Sequence, residues 1–165
     1  MARVQKSIEV NVPVFTAYNQ WTQFEEFPKF MEGVRSVRQL DDRRLVWEAE
    51  VGGHEKSWEA EIKEQVPDER IIWSSIGGEL NAGIVTFEPC DDGASTRVQL
   101  EMSYSPEGFL ESVGDAFGFM SRRVQGDLDR FKEFIEDRGV ETGAFRKTLE
   151  NPAVPGGFTR GEPAR

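Results

Sequence analysis

The stretch RLVWEAEVGGHEKSWEAEI, residues 44–62, consists of two alternating runs on either side of Gly52-Gly53. Leu45, Trp47, Ala49 and Val51 share one face of the first run, and Arg44, Glu48 and Glu50 the other. In the second run Trp58, Ala60 and Ile62 alternate with Glu59, Glu61 and Lys63. A period of two defines strands buried on one side. A glycine pair between two such runs defines a hairpin. The same grammar extends outward in both directions. Strands are predicted at 34–40, 45–51, 56–66, 70–76, 83–88 and 96–104, each ended by Gly, Pro or Asp signals, which is an antiparallel meander. Upstream, residues 7–12 alternate as a further strand. Pro13 then opens a short amphipathic helix carrying Val14, Ala17, Tyr18 and Trp21, followed by an aromatic turn broken near Pro28.

Downstream the period changes. Ser105-Pro106-Glu107 reads as a helix start. Phe109, Val113, Phe117, Met120, Val124, Leu128, Phe131 and Ile135 then step by threes and fours, an apolar stripe on one long helix closed at Arg138-Gly139. Gly114, Gly118 and Gly126 interrupt it, either for ligand space or for close packing. Beyond Thr142 the chain is rich in Gly and Pro. The domain is therefore placed at residues 1–143 and a loosely ordered tail at 144–165. A sheet with one apolar face must bury it against a helix with one apolar stripe. Because strands twist, the sheet curls around the helix. The fold class is α+β.

Composition narrows the function. The chain has 165 residues, 30% of them charged, with a net charge of −10. This charge disfavours nucleic acid and anionic membranes as partners. A single histidine, His54, and a single cysteine, Cys90, are too few for a Cys/His zinc site. Glu48, Glu50, Glu59 and Glu61 alternate outward as a solvated face. No metal and no cofactor are expected. No apolar run approaches the ~20 residues of a membrane span, and the start reads directly into a strand, so a cytoplasmic protein is expected.

The inward faces carry the functional signal. They present Trp47, Ala49, Trp58, Ala60, Trp73, Ser75, Val85, Phe87, Leu100, Met102 and Tyr104, with small residues among large aromatic ones and no mid-strand acid or base. Such a lining suits an apolar small molecule, with Val113, Phe117 and Met120 closing it from the helix. Trp21, Phe24, Phe27, Phe30 and Met31 are read as a rim over the mouth or as core. His54 and Lys56 sit at the hairpin end.

The segment from Tyr18 to Met31 (YNQWTQFEEFPKFM), together with 58–62 (WEAEI), 66–71 (VPDERI), 81–83 (NAG) and 126–131 (GDLDRF), resembles the bacterial polyketide cyclase/dehydrase type of the SRPBCC superfamily, which is similar to coenzyme Q-binding, START-like proteins. The resemblance spans residues 8–143. It implies the helix-grip fold and a pocket for lipids, isoprenoid quinones or polyketide-like molecules. A ligand-binding protein is the expectation. Aromatic polyketide cyclase/dehydratase chemistry in the same cavity is the alternative, and it requires a charged group lowered into the pocket, with Lys56, His54 and Arg35 as candidates. A partner-binding module using the acidic face is the third reading, and it requires a closed core.

Overall fold

The computed structural model describes residues 2–77, 81–105 and 114–150. Strands β1 (Ala2–Val10), β2 (Val34–Gln39), β3 (Arg44–Val51), β4 (His54–Val66), β5 (Arg70–Ile76), β6 (Asn81–Cys90) and β7 (Ser95–Tyr104) form an antiparallel sheet in the order β1-β7-β6-β5-β4-β3-β2. The meander runs from β2 to β7 by short connections. The first strand, preceding the meander in sequence, pairs with the last, Val4 facing Met102 and Ile8 facing Val98. Between β1 and β2 lie helix α1 (Val14–Trp21) and a 3₁₀ segment, Phe24–Lys29, with Pro28 inside it. The sheet is curled, and the C-terminal helix α2 (Ala116–Arg138) lies in its grip. This is the helix-grip architecture. Among the described residues no helix is long and apolar enough to cross a membrane.

Alternation is obeyed where it was clearest. Along β3 the side chains of Leu45, Trp47, Ala49 and Val51 are buried, and Arg44 and Glu48 are exposed. Arg44–Glu59 and Lys63–Glu61 ion pairs cover the outer face.

Helix α2 begins later than its sequence suggests. Gly114 and Asp115 are not helical, and Asp115 caps the helix, its Oδ1 accepting from the Gly118 amide at 3.0 Å. A Cβ at Gly118 would collide with the Asp115 carboxyl, so this glycine makes room for the cap rather than for a ligand. Residues 106–113, where the earlier helix start was read, lie outside the described residues. The helix ends at Arg138, with Gly139 in the left-handed conformation.

The expected boundary at 143 also needs correction. Leu149 is buried, and it exchanges both backbone hydrogen bonds with Gln65 of β4. Arg146 pairs with Asp68 at 2.8 Å and donates to Asn19 at 2.7 Å. Residues 144–150 are thus a strap tied to the domain, because their few apolar and basic side chains meet partners the local pattern does not reveal. Residues 151–165 lie outside the described residues.

Candidate functional site

Between the concave face and α2 lies a cavity with a free volume of about 90 Å³. Its sheet wall is built by strand parity. Trp47 and Ala49 come from β3, Trp58 from β4, Trp73 from β5, Asn81 from β6, and Leu100 and Met102 from β7. Trp47 and Trp58 face each other in register across β3 and β4, and their rings lie nearly parallel. Val34, Val51 and Met31 close one side, and α2 contributes Phe119, Met120, Arg123, Val124 and Asp127. Three of the chain's four methionines therefore line this space. Methionine is unbranched and adapts its shape.

One end of the cavity is polar, and the polarity comes from the helix. Arg123 and Asp127 are one turn apart and share the cavity face. The Arg123 guanidinium lies 4.8 Å above the Phe119 ring, and Gly33, with φ of +85°, leaves it room at the loop before β2. Asp127 is buried. Its Oδ1 accepts from Arg130 Nη2 at 2.7 Å and from the Glu32 amide at 3.2 Å. Its Oδ2 has no hydrogen-bond partner among the described residues, and no ion pair joins it to Arg123. Burial pushes the Asp127 carboxyl up to about 6, against the pull of the Arg130 hydrogen bond and the positive charges of Arg130 and Arg123. Arg130 also donates through Nε to the Phe30 carbonyl at 3.0 Å, so the segment Phe30–Gly33 is fastened to α2.

Several residues read as site residues lie elsewhere. Trp21, Phe24, Phe27 and Phe30 are not a rim. They are fully packed, with Trp21 edge-on to Phe131 at 4.7 Å and Phe30 to Phe131 at 5.2 Å. Phe131 projects from α2 and gives these rings a partner. Val85 and Phe87 belong to the same core, Phe87 meeting Tyr18 and Trp21. Ala60 is wholly buried between Leu45 and Ser75 and does not reach the cavity. Ser75 instead accepts the Asn81 amide at 3.1 Å and so positions a lining residue. Tyr104 is buried beyond the cavity, and burial raises its phenol. Phe117 is 60% exposed, because the late helix start and the 100° step per residue give the cavity to Phe119 and Met120. Val113 lies outside the described residues. His54 is exposed at the hairpin tip, Lys56 does not line the cavity, and Arg35 pairs with Glu55 at the surface. A Cβ at Gly83 of β6 would overlap the Trp73 ring, so the indole itself occupies the space beside this glycine.

Sequence reading missed Val34, Val51, Asn81, Phe119, Arg123, Val124 and Asp127. Val51 shared parity with Trp47, and Val124 sat on the helix stripe, so both carried a usable signal. Arg123 and Asp127 were charged residues on a helix, and a search for apolar periodicity places such residues outside. Among the described residues no group of three His, Cys, Asp or Glu side chains could hold a metal.

An apolar cavity between a curled antiparallel sheet and a C-terminal helix defines a START-like, helix-grip protein. The chain belongs to the family described as polyketide cyclase/dehydrase and lipid transport, whose model matches residues 10–133. A 17.2 kDa protein from the melC2-rnhH intergenic region of Streptomyces lincolnensis is 53% identical over 147 residues, covering 88% of this chain and 97% of that one. A START superfamily protein from Mycobacterium smegmatis superposes with a TM-score of 0.69 at 14% identity, over 82% of this chain and 98% of that one. The ZhuI aromatase/cyclase from Streptomyces sp. R1128 superposes with a TM-score of 0.68 at 12% identity, over 87% of this chain and 99% of that one. At these identities the two structures speak for the fold.

Proposed function

We propose that this protein reversibly binds an apolar, ring-bearing small molecule between the Trp47–Trp58 wall and α2. The observation that carries the reading is the cavity lining itself: two parallel indoles facing an adaptable wall of Met31, Met102 and Met120. A ring compound packs against aromatic and methionine side chains, and removing its surface from water is worth about 25 cal/mol per Å² before the costs of association. The free volume of about 90 Å³ is smaller than the ~150 Å³ that admits benzene in an engineered cavity. Binding therefore displaces methionine side chains. The family description, which joins polyketide chemistry with lipid transport, supports the same ligand class.

A second reading, cyclase or dehydratase chemistry in the same cavity, is favoured by Asp127. A buried carboxyl pushed up to about 6 beside a ligand space is suited to exchange protons near neutral pH. Native mass spectrometry of freshly purified protein tests the first reading. An apolar ring compound bound once per chain is expected, as is its loss in A49F. Protein that carries no such compound, and that also gives no saturable response to naphthalene or 2-naphthol, overturns the reading. Conversion of the bound compound to a new product would favour the second.

A further inference from the structure

We infer that Asp127 selects, among apolar rings, those bearing a hydroxyl. This rests on the binding function proposed above and names the ligand class more narrowly, as a neutral phenol or ring alcohol rather than a hydrocarbon, ether or carboxylate. The two oxygens of Asp127 differ in their partners. Oδ1 is committed to Arg130 and to the Glu32 amide. Oδ2 carries no protein hydrogen bond among the described residues and belongs to a buried carboxyl that lines the cavity. A carboxylate oxygen without a protein donor is hydrated while the cavity is empty, so a ligand that fills the cavity must replace that hydrogen bond or leave the oxygen bare, and one that supplies a donor gains affinity. Ionised carboxylate accepts only, and the hydrogen bond it wants is a charge-assisted one.

Arg123 completes the selection. It lines the same end of the cavity and donates only. No ion pair closes the gap between it and Asp127. A hydroxyl can do both things at once, donating to Oδ2 and accepting from the guanidinium. An ether or ketone can only accept, which leaves Oδ2 unanswered. A carboxylate ligand would face Asp127 with like charge. The remaining lining is apolar or aromatic apart from Asn81, so this pair is the charged part of the wall. Arg130 and Glu32 are the other charged groups beside Asp127, and Arg130 already holds Oδ1.

The test is calorimetric titration of the full chain with 2-naphthol and 2-methoxynaphthalene at pH 8, in wild type and D127N. The two probes share a ring system and differ in having a donor. Wild type is expected to prefer 2-naphthol by about tenfold or more, the size of one hydrogen bond to a charged group. In D127N the amide oxygen can keep Arg130 and the Glu32 amide, which turns the NH₂ toward the cavity. The preference should then fall to within about twofold. A role for Asp127 in shape alone would move both probes together and leave their ratio unchanged. A wild-type ratio near one, or a ratio that D127N does not alter, overturns the inference and leaves the binding function standing. Failure of both probes to bind wild type overturns the binding function itself. Should D127N not fold, the wild-type ratio alone decides.

Discussion

Trp47 and Trp58 lie directly opposite each other on neighbouring strands, with ring centroids 5.9 Å apart and planes 6° from parallel. These two indoles stack on each other, whereas Trp21 meets Phe131 edge to face and Phe27 at a tilt in the core. Trp47 joins two settings: its ring lies 5.7 Å from Phe27 of the closed core, and it also borders the free space of the cavity. The next small residue along β3, Ala49, keeps that space open.

Ala49 and Ala60 are predicted to respond differently to the same substitution. In A49F the new ring enters the cavity, so the fold should persist while naphthalene binding is lost. In A60F it has no space to enter, since Ala60 is fully buried and does not line the cavity. Overpacking of this kind costs about 1–3 kcal/mol. Thermal melting and a naphthalene titration on both variants check this, and equal stability losses would contradict it.

Gly83 is predicted to set the position of the Trp73 wall. Any Cβ at residue 83 overlaps the indole, which must then turn toward the cavity or lift the strand. G83A should lose about 1–3 kcal/mol and bind naphthalene more weakly. Unchanged binding at unchanged stability would show that the indole has room to spare.

Asp127 is predicted to leave a pH signature in stability. Burial raises its folded value to about 6, above the value near 4 of an unfolded aspartate. The folded state therefore holds the proton over a window in which the unfolded state has released it. Stability falls as pH rises through that window, and the full cost, at most about 3 kcal/mol, is present above it. D127N lacks this dependence, so its melting temperature relative to wild type should climb between pH 4 and pH 7. A difference that stays flat across this range would contradict the assignment.

The strap is predicted to belong to the folding unit. A chain ended at residue 143 loses the burial of Leu149 and the Arg146–Asp68 pair, whereas one ended at 150 keeps both. Burying a leucine is worth about 2 kcal/mol, which in a domain of this size is about 5 °C of melting temperature. Equal melting of the two chains would place the boundary at 143 after all.

How much of this was legible in the sequence depends on which physical signal each residue obeys. Strand alternation reports a face directly, so Trp47, Ala49, Trp58, Trp73, Leu100 and Met102 could be grouped from parity alone. Parity does not report depth, which is why Ala60, Val85 and Phe87 joined the same group although they fill core. Small size does not report emptiness either, since the space above Gly83 holds Trp73. The aromatic run Trp21, Phe24, Phe27 and Phe30 steps by three and so shares one face of a 3₁₀ turn, but that period does not say whether the face is rim or core, and only the position of Phe131 makes it core. Arg123 and Asp127 were hidden for a different reason. A charged residue on a helix reads as solvent-facing unless its partners are known, and those of Asp127, Arg130 and the Glu32 amide, include one 95 residues away in sequence.

The central claim is that a ligand enters this cavity by moving the methionine wall. Its most direct measurement is an NMR titration of protein labelled with ¹³C at the methionine methyls, using 2-naphthol as the probe. Saturable shifts are predicted at Met31, Met102 and Met120 with one common affinity, and A49F should abolish them. Saturation without shifts at these three methyls, or no saturation at all, would contradict the claim.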